Sequence, residues 1–460
     1  MLTFLVYVLL ATGVFALFTH GFITTALYSL NAVMQPSYLW KWTFPDVSIS
    51  KYLAISCILS WLILAAKKRI DFSIYKQKPI YYLISIWLLM HISNWLSPYP
   101  YYQAGVRAET VLSTMNSIII MLLVQLGISS YKEYSRHAIL AFVGIFVFTG
   151  AYYVYWANDL YLGGNWWAFT NGRLNGPSQG PYVDQNVLSS MIVMVMPFIL
   201  LAYFYLNNKI LKYCCVFIIP LLWHSLFLFG SRGAMLGLGA TTLLIAYTME
   251  KSIGSTIQIK PWQIKTFKTI MLLGLIGAVI WQGGEMLNRS TETVSKAQTN
   301  SEEPLNPRIV SWKAAIKITK EYPLLGAGPQ RFQWAAQDLA LGTPHVAHNT
   351  LFNFMANTGI IVATLFILLL CHGFKSYFEA NKLGAAKDPL LDYLNKATTI
   401  SLLGYTVCGT FLDLIIFEPI YFLFILITIK NHSVKNYCSK QNEQIKPKKN
   451  QPQRKIPVGY

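Results

Sequence analysis

Val187–Tyr205 reads VLSSMIVMVMPFILLAYFY, nineteen residues without a charge. As a helix it would be roughly 28 Å long, close to the ~30 Å hydrocarbon core of a bilayer. Pro197 does not argue against a span, because neighbouring helices can bond the backbone groups it frees. N-terminal to the run lies 159–185, rich in Gly, Asn and Trp and poor in charge. C-terminal to it stand Lys209 and Lys212. Basic residues are retained on the cytoplasmic side, so the run enters from the outside and ends inside.

The same alternation repeats along the chain. Tyr52–Ala66 ends at Lys67-Lys68-Arg69, with Lys76 and Lys78 close behind, and Ile80–Leu96 leads out to the aromatic turn Ser97–Tyr102. Gly105–Leu126 returns to Lys132 and Arg136, and Ala138–Trp156 goes out again. Tyr213–Phe229 reaches Gly230-Ser231-Arg232-Gly233. Ala234–Thr248 comes back to Lys251, Lys260, Lys265 and Lys268, and Thr269–Trp281 opens onto the longest polar stretch, 283–350. Leu351–Cys371 returns to Lys375, Lys382 and Lys387, and Ala397–Thr410 with Phe411–Ile429 forms a final pair. The expected architecture is all-α: a polytopic helical membrane protein with about 12 transmembrane helices and a large outer, non-cytoplasmic loop carrying an amphipathic helix.

The division expected is a short hydrophobic hairpin or retained anchor over 1–36, and membrane helices over 37–282 with an outer loop at 157–185. A large outer loop over 283–350, closing helices over 351–430 and a basic, disordered cytoplasmic tail over 431–460 follow. Of 460 residues 54% are hydrophobic and only 12% charged, which excludes an ordinary soluble domain. The formal charge of +18 is explained by basic cytoplasmic loops rather than by a nucleic-acid partner. The six cysteines have no metal-ligand spacing, so no metal and no cofactor is expected.

The outer loops carry the polar residues available for chemistry. Arg232 stands at the mouth of a helix hairpin, where a guanidinium either snorkels or clamps an anion. Asn306-Pro307-Arg308 reads as a helix start, with Asn as cap and Pro at the first position. Ile309, Trp312 and Ile316 are expected on one face of that helix and Lys313, Lys317 and Lys320 on another. Arg308 would sit at its positive end, a natural phosphate site. Gly326-Ala327-Gly328 follows no strand and is read as a turn rather than a nucleotide loop. His345 and His348 precede Asn349; a histidine titrating near neutrality suits a general base better than a metal lacking a third ligand. Arg107, Arg173, Asp184, Asn186 and the intramembrane Asp413 are supporting candidates. Glu418 accompanies Asp413, and pairing of these carboxylates with Arg107 or Arg232 is the structural alternative.

Ser231-Arg232-Gly233-Ala234, Arg308 followed by Trp312, Tyr322-Pro323-Leu324-Leu325-Gly326-Ala327-Gly328, and His348-Asn349 with Gly359 downstream resemble the O-antigen ligase/polymerase superfamily. The N-terminal region, with Asn175-Gly176-Pro177, Asp184-Gln185-Asn186 and Met196-Pro197, resembles its O-glycosylation ligases associated with exosortase A systems. The resemblance implies a metal-independent, inverting glycosyltransferase of the bacterial inner membrane with its active site facing the periplasm. It implies a glycan donor on undecaprenyl diphosphate and a hydroxyl acceptor on glycan, lipid or protein. It further implies Arg232 and Arg308 on the donor diphosphate and His348 as base. Ligase and repeat-unit or exopolysaccharide polymerase share these residues and are not separated by them. An anion transporter of the bicarbonate type, using Asp413, Glu418 and buried arginine, is the reading from another class.

Overall fold

A computed structural model describes residues 8, 11–17, 20–39, 49–99, 107–252, 259–299, 307–341 and 346–445. Long helices account for almost all of it. They are α1 Gly21–Met34, α2 Ile49–Ala66, α3 Lys78–Trp95, α4 Ala108–Ser130, α5 Ser135–Leu162, α6 Gln185–Tyr205, α7 Lys209–Phe229, α8 Arg232–Lys251 and α9 Pro261–Thr299. After two short helices, α10 Pro307–Glu321 and α11 Phe332–Asp338, come α12 Thr350–Lys382, α13 Pro389–Gly409 and α14 Glu418–Ile445. One two-residue hairpin, β1 Phe169–Thr170 with β2 Arg173–Leu174, interrupts the helices. By length and composition, six described helices (α2, α4, α5, α6, α7 and α12) can cross a membrane unaided.

The others are more polar because they face protein. In α13, Asp392, Asn395 and Lys396 are buried; Lys396 Nζ donates to Asp392 Oδ2 at 2.7 Å, Tyr205 Oη at 3.1 Å and Ser252 Oγ at 3.0 Å. Lys430 of α14 is fully buried and donates to Ser376 Oγ at 2.7 Å and Asn395 Oδ1 at 2.8 Å. Charges survive inside a membrane bundle when each donor meets an acceptor. The basic tail expected from 431 therefore does not begin there: α14 continues to Ile445, and His432 and Val434 are buried.

The stretch that opened the reading lies at the centre. From Leu188 to Leu201 α6 is buried along its whole length, packed among α5, α7, α8 and α13. Pro197 removes one N–H from its ladder, and helix α13 bonds to carbonyls beside it: Ser401 Oγ to Met194 at 2.5 Å and Tyr393 Oη to Phe198 at 2.6 Å.

The basic loops gather at one end. His432 Nε2 lies 3.1 Å from Asp71, Arg136 3.4 Å from Asp388, and Gln77 donates to Thr428 C=O at 3.0 Å. The long polar connections gather at the other. Two boundaries differ there from expectation. Helix α9 runs on to Thr299, so the polar stretch from 283 begins as helix. The last two helices are separated at 410–417, so Asp413 lies in their connection and not inside a span.

A break in α12 holds the loop end together. Gly359 has φ 86°, and Pro323–Gly328 packs into the gap it opens. Ala327 N–H donates to Ala356 C=O and Gly328 N–H to Asn357 C=O, both at 2.8 Å, and Ile360 N–H returns to Pro323 C=O at 2.9 Å. From α3, Ser93 Oγ donates to Leu325 C=O at 2.6 Å, and Ser97 Oγ reaches Ala327 C=O at 2.5 Å. A Cβ on Gly359 would lie 2.1 Å from Leu324 O, and one on Gly326 2.5 Å from the backbone of Asn357. Both positions need glycine for space as well as for φ. The turn expected at Gly326–Gly328 is thus a wedge in a broken helix.

Candidate functional site

Arg232 is the first residue of α8. Gly230, with φ 61°, ends α7 by donating its N–H to Leu226 and Phe227 C=O, and Ser231 caps α8 by accepting from Ala234 N–H. This tight reversal leaves the Arg232 side chain exposed. The preceding loop braces it. Arg173 Nε donates to Phe229 C=O and its Nη2 to Asn186 Oδ1, each at 2.9 Å; Asn186 donates from Nδ2 to Asp184 Oδ1, also at 2.9 Å. Asp184 caps α6 by accepting from Asn186 N–H at 2.7 Å. Arg173, Asp184 and Asn186 are therefore one network under the α7–α8 turn, and Asp184 also faces Arg308.

Arg308 is the second residue of α10, after Pro307; Asn306, the expected cap, lies outside the described residues. Its guanidinium is half-buried. Burial lowers its proton affinity below the usual arginine value, the charge of Arg232 lowers it further, and Asp184 opposes both. Arg308 thus feels both Arg232, from a separate helix, and Asp184.

Helix α10 leaves Ile309 and Ile316 exposed and buries Ser311, Ala314, Ala315, Ile318 and Thr319 against protein. Small residues allow α10 to lie close on α12 and α11, in a core with Ala327, Phe332, Ala335, Ala336, Ala347 and Ala356. Lys313, Lys317 and Lys320 are exposed as expected. Trp312 meets Phe352, ring centroids 5.6 Å apart.

His348 occupies the turn into α12 with φ 46°, a left-handed conformation that costs a non-glycine residue about 1 kcal/mol or more. Asn349 fixes that turn. Its Oδ1 accepts from Phe352 N–H at 3.0 Å and its Nδ2 donates to Thr410 C=O at 3.1 Å. Thr350 Oγ1 donates to Leu412 C=O at 2.8 Å. Next to Thr410, Phe411 lies over Gly233, 3.2 Å from where a Cβ would stand. Hence His348 is joined to Arg232 through Thr410–Phe411, and to Arg308 through Phe352 and Trp312. The three residues share one end of the bundle.

Asp413 is held in the same connection by Asn353 and by Ile415 N–H at 3.3 Å; burial raises its carboxyl above the usual range against these bonds. Glu418 Oε2 accepts from Gln35 Nε2 at 3.2 Å. Amides thus bond both carboxylates. Arg107 is exposed at the start of α4. His345 lies outside the described residues. Among those described, no three His, Cys, Asp or Glu side chains gather to hold a metal ion.

Sequence reading missed Asn353 and Asn357, whose side chains bond each other one turn apart in α12. Two asparagines at i, i+4 in an apolar run were the available signal. It also missed Arg331, which donates to Tyr99 C=O at 3.1 Å, Asn94 Oδ1 at 2.7 Å and Pro329 C=O at 3.2 Å. That residue is a clamp between α3 and the wedge.

Residues 215–367 match the family model Wzy_C, O-antigen ligase. The match runs from α7 into α12 and takes in Arg232, Arg308, His348 and the wedge at Gly359. Over that segment the chain is similar to the O-antigen ligases. The match supports a membrane enzyme of the O-antigen ligase/polymerase type. No curated protein matches the chain. Arg173, Asp184, Asn186 and Asp413 fall outside the matched residues, although the first three brace the turn that carries Arg232.

Proposed function

We propose that the protein transfers a glycan from a polyprenyl diphosphate, of the undecaprenyl kind, to a hydroxyl acceptor at the outer face of the inner membrane. The observation that carries the reading is that Arg232, at the head of α8, and the half-buried Arg308, near the head of α10, share neighbours with His348 at one end of the bundle. A diphosphate offers oxygens enough for two bidentate guanidinium contacts.

The chemistry follows from the parts. The acceptor oxygen bonds to the anomeric carbon with inversion as the bond from that carbon to the diphosphate oxygen breaks. The electron pair leaves with the diphosphate, whose charge Arg232 and Arg308 stabilise. The acceptor proton passes to His348, a contribution of ~10²–10⁴-fold for a placed base. No metal or cofactor enters the scheme.

Polar residues grouped in the outer connections support this reading over an anion transporter, whose pathway residues belong near the membrane midplane. A repeat-unit polymerase would use the same three residues on the same class of donor and is the alternative within this reading. His348→Ala is the test: glycan transfer is lost while lipid-linked donor still binds. Unchanged transfer removes His348 from the mechanism. Glycan analysis of a deletion strain divides the two enzymes, since loss of a ligase leaves long chains on the carrier and loss of a polymerase leaves single units.

A further inference from the structure

At the end of the bundle opposite His348 lies a cavity of about 760 Å³ lined by Lys68, Arg69, Lys132 and Arg136, with Asp71 and Asp388. Four cations face two carboxylates there, and both carboxylates are already engaged. Asp71 accepts from Ser73 N–H at 3.0 Å and lies 3.1 Å from His432. Asp388 caps α13, accepting from Leu390 N–H at 2.8 Å, and meets Arg136 at 3.4 Å. Arg69 lies over the Tyr131 ring at 5.4 Å. Among the described residues, Lys68 and Lys132 have no ion-pair partner.

A second cavity, about 570 Å³, runs along the bundle between α5, α6, α7 and α13. It is apolar, lined by Leu140, Val147, Ala202, Leu211, Ile218 and Tyr393. The two adjoin: Arg136 and Leu390 line both. Along α5 the groove extends from Arg136 to Ala151, about 22 Å of helix against the ~15 Å hydrocarbon depth of one leaflet. Gly144 widens it, since a Cβ there would meet nothing within 4 Å.

We propose that these adjoining cavities form a binding site for one anionic phospholipid. Its phosphate would lie between Lys132 and Arg136, and an acyl chain would run along α5 past Gly144. The pairing of a net basic mouth with an apolar groove is what such a molecule requires. Basic pockets between membrane helices take anionic headgroups in preference to zwitterionic ones, and the groove supplies the chain's share of the affinity. The site is independent of the transfer reaction, because none of its residues belongs to the Arg232–Arg308–His348 end.

Native mass spectrometry of the full-length protein, titrated with dioleoyl phosphatidylglycerol or dioleoyl phosphatidylcholine, tests it. One phosphatidylglycerol should be retained about tenfold more strongly than phosphatidylcholine, about 1.4 kcal/mol. Lys132→Ala with Arg136→Gln should erase that preference, and Arg136→Lys should keep most of it. Gly144→Leu, a replacement into open space by a better helix former, should weaken both lipids. Equal retention of the two lipids overturns the proposal, as does wild-type binding by both the charge and the groove variants. Displacement by soluble glycerol phosphate as effective as by diacyl lipid overturns it too, by reducing the site to a free-phosphate site.

Discussion

Arg232 at the head of α8 and Arg308 near the head of α10 are close enough that the first lowers the proton affinity of the second. Asp184 opposes that effect on Arg308, and an anion held between the two guanidiniums would oppose it further.

If that anion is the donor diphosphate, Arg232→Gln and Arg308→Gln should each reduce kcat/KM for glycan transfer by roughly 10–100-fold, from ~1.5–3 kcal/mol per charged hydrogen bond. The double variant should lose less than the product, because the remaining guanidinium works on an already loosened group. Transfer assays in inverted or reconstituted vesicles check this. Strict multiplicativity would place the two arginines on separate tasks.

Asn349 should act through His348 rather than on substrate. Asn349→Asp keeps an N-cap acceptor for Phe352 N–H but loses the donation to Thr410 C=O; Asn349→Ala loses both, and the cap alone is worth ~1 kcal/mol. Thermal unfolding in detergent should rank wild type above the Asp variant and the Asp variant above Ala. Both variants should lower kcat more than they raise KM for the donor, and a pure KM effect would contradict a positioning role.

Gly359→Ala meets a left-handed φ and a backbone oxygen 2.1 Å from its new Cβ. With ψ 171° the position lies in a region essentially restricted to glycine, which alone costs another residue ~1–3 kcal/mol, and the clash must displace the Pro323–Gly328 wedge. Little folded protein should be recovered, and limited proteolysis of what remains should cut within 322–341. An intact wedge in the variant would mean that α12 can close its break another way.

The Asp392–Lys396 pair, 2.7 Å apart and buried on α13, should show the asymmetry of buried charges. Asp392→Leu or Lys396→Met alone leaves a buried partner uncompensated and costs ~3–5 kcal/mol. The double replacement Asp392→Leu with Lys396→Met should recover most of the loss. Apparent Tm at one scan rate, measured for the four proteins, closes the cycle.

Much of the architecture was legible because its cause is local. A run such as Tyr52–Ala66, little of it covered by protein, must satisfy its own backbone hydrogen bonds in a bilayer and is therefore a helix. The start of α10 at Pro307 and the turn at Gly326–Gly328 also follow from local backbone rules. Where the reading went astray, the environment was protein and not lipid. Lys396 and Lys430 were placed at or beyond span ends because hydropathy charges each residue for exposure to hydrocarbon, whereas Tyr205, Ser252, Ser376 and Asn395 supply their partners. The protein-facing side of α10 was not legible either: periodicity marks the largest apolar residues, Ile309 and Ile316, whereas close packing on α12 selects the smallest, Ala314 and Ala315.

By itself, then, the sequence determined that this is a helical membrane protein with its long polar connections grouped against its basic loops, since run length and charge asymmetry are properties of a chain. Only the tertiary structure decided that Arg232, Arg308 and His348 lie at one end within reach of shared neighbours. Their meeting depends on the Arg173–Asn186 brace, the Asn349–Thr410 bond and the Gly359 wedge, and each of these joins backbone to segments far away in the sequence.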